Sequence, residues 1–105
     1  MTRWPSRGHY APSLVRIREQ RFDDAAANLA RAVQANPRFS VLYVAHAAAL
    51  ALAGRVEEAK SVAKRALELE PNFRVGPWEH ILPGVMLPEL IRPLLAGMRL
   101  AGLPE

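Results

Sequence analysis

Displaced by 34 residues, RFDDAAANLARAVQANPRF (21–39) lies over RVEEAKSVAKRALELEPNF (55–73) without a gap. Arg21 meets Arg55, Ala25 meets Ala59, Arg31 meets Arg65, Ala32 meets Ala66, Pro37 meets Pro71 and Phe39 meets Phe73. Asp23 and Asp24 meet Glu57 and Glu58, so the acidic start of each copy is kept as well. A period of roughly 20–50 residues means a stack of like units, because each copy hides its apolar face only against a neighbour.

Each copy reads as an amphipathic helix with a fixed stop. In the later one Val56, Ala59, Val62, Ala63, Ala66 and Leu67 recur three and four residues apart, which puts them on one stripe. Ala25, Leu29, Ala32 and Val33 form the same stripe in the earlier one. The acidic pairs sit in the first turn, where the helix dipole favours anions, and Lys64 is placed to reach Glu68 one turn on. Pro37 and Pro71 cannot continue a helix and end it. Between the copies, Ser40 to Ala53 is apolar almost all round, as expected of a helix held between others. Ser40 is a candidate N-cap, and Gly54 can take the left-handed conformation that closes such a helix.

Composition agrees. Alanine and leucine, the leading helix formers, supply 18 and 14 residues, against one threonine and three isoleucines. The class is all-α. With 105 residues and no cysteine, the chain has room for one small domain and none for a disulfide framework or a thiolate metal site. Its longest apolar run, Val41 to Ala53, is well short of the ~20 residues of a membrane span, and no secretory leader is evident. A cytoplasmic protein is the expectation. The net charge of +4 is not spread evenly: residues 1–21 hold five arginines and one acid, whereas the rest cancels.

Helix, glycine turn, helix and closing proline at this period resemble the tetratricopeptide repeat, or TPR. Tyr43, His46, Ala47, Leu50, Gly54, Ala59, Ala63, Ala66 and Pro71 fall on its motif positions in a full repeat over 40–71. His46 stands there for a leucine and Ala63 for an aromatic. Ala25, Leu29, Ala32 and Pro37 belong to an incomplete repeat over 12–37, whose first helix would run from about Pro12 to Gln20. The resemblance implies TPR-like antiparallel helical hairpins, a fragment of a right-handed α-solenoid. Around it the sequence predicts an irregular basic segment over 1–11 and a Pro/Gly-rich loop over 72–87. A capping helix and tail follow over 88–105, with Pro93 either kinking that helix or marking its start and Gly102 stopping it. A narrower resemblance rests on the closing LLAGMRLAGLPE, which is similar to the C-terminal TPR region of bacterial adenylate cyclase-like signalling proteins. It implies an ancillary region and carries no cyclase chemistry, since no paired metal-binding aspartates are present on a strand.

Nothing in the sequence argues for an enzyme. His9, His46 and His80 lack the spacing of a chelating pair, and no serine lies in a nucleophile-elbow context. The acidic pairs are accounted for by their two helix starts. No catalytic, cofactor-binding or metal-binding residue is predicted, and no small-molecule substrate. The TPR resemblance instead implies a groove lined by the first helix of the full repeat, at Val41, Val44, Ala48, Ala51 and Leu52. These residues are apolar, with none of the lysine or asparagine that clamps a peptide carboxylate. The expected occupant is therefore an amphipathic helix or a second copy of the chain in a homodimer. The alternative, an anionic partner such as nucleic acid, would rest on the Arg-rich start, which lacks an aromatic-basic pattern. Trp4, Tyr10, Trp78 and Met86 lie in the flanks, where they are placed to cover an end of the stack.

Overall fold

The computed structural model describes residues 21–84 and 88–105. The predicted 1–11 segment, the helix expected from Pro12 to Gln20 and residues 85–87 lie outside the described residues. Trp4, His9, Tyr10 and Met86 fall there too.

The 34-residue repeat is a structural repeat. Helix α1 (Phe22–Ala35) buries Ala25, Ala26, Leu29 and Ala32, and α3 (Val56–Leu69) buries Ala59, Ala63 and Ala66. The residue before each helix has almost the same backbone: Arg21 at φ −96°, ψ 69° and Arg55 at φ −96°, ψ 62°. Neither start has a side-chain cap. Instead the arginine reaches forward to the acid in the first turn, Arg21 to Asp24 at 2.6 Å and Arg55 to Glu58 at 2.8 Å. Each helix stops just short of its proline, at Asn36 (φ −138°, ψ 69°) and at Glu70 (φ −140°, ψ 83°). A residue preceding proline is held out of the helical region, so both ends follow from local sterics. The turns beyond match as well. The Phe39 N–H donates to the Asn36 carbonyl and the Phe73 N–H to the Glu70 carbonyl, both at 3.1 Å. Glu68 is taken by Arg65 at 3.1 Å rather than by Lys64, a departure from the expected pairing.

Helix α2 (Ser40–Leu52) is the core, with nine of its thirteen residues buried, and that requires neighbours on several sides. It packs against α1, α3 and the last helix, α5 (Pro88–Leu100). Ser40 is not the N-cap: Phe39 holds that place, and Ser40 opens the helix. The Ser40 hydroxyl instead donates to Glu70 Oε1 at 2.9 Å, tying the start of α2 to the end of α3. Tyr43 is buried, and its hydroxyl donates to the Pro37 carbonyl at 2.9 Å. Gly54, at φ +85°, ends α2 in a Schellman motif: the Arg55 N–H reaches the Leu50 carbonyl at 2.9 Å and the Gly54 N–H the Ala51 carbonyl at 3.0 Å.

The segment after α3 turns inward before α5 begins. Phe73 and Val75 are buried, and the Trp78 ring lies 6.1 Å from that of Phe73. A single turn of helix, α4 (Trp78–Ile81), and a 3-10 turn (Leu82–Gly84) follow, with Leu82 buried. Pro93 lies inside α5, where it forfeits one backbone hydrogen bond. Gly102, at φ +86°, repeats the Schellman stop, with Met98 and Leu103 both buried as its apolar pair. The tail then returns to the body. The Val75 N–H donates to the Pro104 carbonyl at 2.8 Å and the Gly76 N–H to that of Glu105 at 2.9 Å. Every element among the described residues is helical, and the architecture is all-α.

Candidate interaction face

The five residues expected to line a groove share one side of α2, since 41, 44, 48, 51 and 52 are three, four and seven apart. Val44, Ala48 and Ala51 are only 3, 0 and 4 % exposed, while Val41 and Leu52 are half-buried. The groove expected to be open is therefore covered, and its occupant is α5 of the same chain. The two helices touch at Gly97. A Cβ built there would fall 2.5 Å from the Ala48 carbonyl oxygen and 2.9 Å from the Ala48 Cα and Cβ. Backbone meets backbone, and only glycine on one side with alanine on the other permits it. Leu90, Leu94 and Met98, spaced four apart on α5, are all buried, as is Ala101 just beyond its end. The signal for this seat was present in the sequence as a glycine on the apolar face of an amphipathic segment.

The motif residues are positioned for structure. Leu50, Ala59, Ala63 and Ala66 are buried at 3 % exposure or less, as are Ala25, Leu29 and Ala32. Pro37 and Pro71 are exposed at the turns.

Polar chemistry is sparse. His46 is half-buried on α2, and burial pushes its imidazole below the usual histidine range against the pull of the Glu58 carboxylate. Among the described residues no group of three or more His, Asp or Glu side chains is placed to hold a metal ion. No helix among them is long and apolar enough to cross a membrane. The most connected polar cluster pins the end of α5. Arg99 donates from Nε to Glu105 Oε2 at 2.8 Å and also pairs with Glu79 of α4. This guanidinium holds the Glu105 carboxyl below the ordinary carboxylate range. All three side chains are substantially exposed, so the cluster orients the tail more than it stabilises it.

Comparison with known proteins agrees with the repeat geometry. A family model described as Tetratricopeptide repeat matches residues 16–75. The match ends before the closing LLAGMRLAGLPE, on which the narrower resemblance rested. Neither the curated proteins nor the solved structures contain a match. With more than half of its length matched, and with the paired turns, matched helix ends and glycine stop described above, the chain belongs to the tetratricopeptide repeat family.

Proposed function

We propose that this chain is a non-catalytic interaction module that receives an apolar or amphipathic helix, in place of its own α5, on the α2 face, at Val41, Val44, Ala48, Ala51 and Leu52. Repeats of this family generally mediate contacts between proteins. The observation that carries the reading is the seat of α5, which provides a worked example of what the face accepts. The fitting helix is amphipathic, carries a small residue at the crossing over Ala48 and has aliphatic side chains one turn to either side. Because residues 22–105 hold nine basic and nine acidic side chains, such a contact relies on apolar burial rather than on net charge. In keeping with the closing segment's resemblance, the module serves as an ancillary part of a bacterial, cytoplasmic signalling protein.

The test is a fluorescence-anisotropy titration of the full chain against a labelled peptide spanning residues 88–105. Saturable binding that is insensitive to salt supports the reading. No binding as the chain approaches millimolar concentration, on the order of the effective concentration of a tethered helix, refutes it. The alternative, an anionic partner held by the Arg-rich start, calls for binding to a nucleic-acid oligomer that falls steeply with salt.

A further inference from the structure

We infer that α5 is exchangeable, so that the α2 face of one copy takes α5 from a second copy of this chain and a reciprocal dimer results. The inference rests on the reading of the α2 face above and names its partner. The fit is already visible. A helix with any side chain at the crossing would have to stand further off, because a Cβ at position 97 meets Ala48 backbone atoms at 2.5–2.9 Å. The face is therefore matched to this helix in particular, and every copy carries one.

Three features let α5 leave as a unit. Its main packing partner is α2, with lesser contact to α4 and the 3-10 turn, so the α1–α2 and α2–α3 pairings do not depend on it. Its helical form depends on being docked, since Pro93 and Gly97 both disfavour an isolated helix. At its C-terminal end the polar ties are exposed or belong to the tail: Arg99 to Glu79 and Glu105, and the two backbone bonds from Val75 and Gly76 to the tail. Gly76-Pro77 and Pro83-Gly84 lie in the sequence between the repeat and α5, punctuation suited to a connection that can be redrawn.

Exchange makes the same contacts between two chains that the closed chain makes within itself, in an isologous arrangement.

The experiment uses the full chain, at concentrations from micromolar to about one millimolar. Light scattering follows the oligomer, native mass spectrometry follows mixing of isotope-labelled with unlabelled copies, and hydrogen exchange follows the α5 amides. The expected result is a dimer that grows with concentration and is indifferent to salt, with mixed dimers appearing at the rate at which α5 opens. Arg99→Ala, which leaves the α2 face untouched, should speed mixing by about two- to fivefold, as for loss of an exposed ion pair. A monomer throughout overturns the inference, and so does mixing faster than α5 opening, which would mean another surface. If the 88–105 peptide binds while the chain stays monomeric, exchange fails and the reading of the face stands. If the peptide does not bind either, both fail.

Discussion

Gly97→Ala isolates the contact on which the α5 seat depends. Two effects oppose each other. Alanine is the better helix former, by about 1 kcal/mol, and position 97 lies inside α5. Against this, the added Cβ would sit 2.5 Å from the Ala48 carbonyl oxygen and 2.9 Å from the Ala48 Cα and Cβ, where roughly 3.5–4.0 Å is normal between carbon atoms. The obstruction is largely backbone, so no rotamer change relieves it. The helices must separate by about 1 Å, and a gap of that size forfeits a quarter to a half of the dispersion attraction across it. Leu94 and Met98, buried on the same helix, and Ala101 just beyond its end lose contact together. Overpacking costs about 1–3 kcal/mol, and a clash with backbone atoms that no rotamer relieves lies in the upper part of that range, about 2–3 kcal/mol; less the propensity gain of about 1 kcal/mol, the net loss is about 1–2 kcal/mol. For a domain of this size that lowers Tm by about 5–15 °C. Urea titration followed by circular dichroism measures the loss, and hydrogen exchange should place it in α5. Ala96→Gly, at an exposed position of the same helix, supplies the propensity effect alone. A Gly97→Ala protein as stable as the parent, or more stable, would refute the close crossing.

Three further substitutions test other joints of the fold. Gly54 has φ +85° and nothing within 4 Å of a built Cβ, so Gly54→Ala should cost only backbone strain, about 1–2 kcal/mol by thermal melting. Burial lowers the His46 pKa from 6.5, so the unfolded chain takes up the proton first as the solution is acidified. The corresponding stability is present above pH 6.5 and is lost as pH falls below that value; His46→Leu should flatten the stability profile there, measured by urea midpoints at a series of pH values. Tyr43→Phe removes the hydroxyl that donates to the Pro37 carbonyl and should lower the urea midpoint by an amount equivalent to about 0.5–1.5 kcal/mol, without changing the slope.

The details that sequence reading missed share a cause. Ser40 looked like a cap because it precedes an apolar run, but its hydroxyl is drawn to Glu70, thirty residues on in sequence. Glu68 lies within reach of both Lys64 and Arg65, and the choice of Arg65 depends on side-chain geometry that spacing does not specify. The spacing of Val44, Ala48 and Ala51 was enough to put them on one side of α2. It contained no information about what lies against that side.

The sequence by itself determined the helices of the repeat, α1 to α3, and their stops. The 34-residue echo, the prolines at 37 and 71 and the glycine at 54 act through neighbouring atoms, so helix, stop and turn follow from local sterics whatever surrounds them. Only the tertiary structure decided that the apolar face of α2 is covered by α5. That outcome depends on Gly97 and Ala48 being carried to the same point by separate helices, and on their lack of side-chain bulk at that point. Periodicity can say that a face must be buried; the partner is chosen by shape, which exists only once the helices have packed.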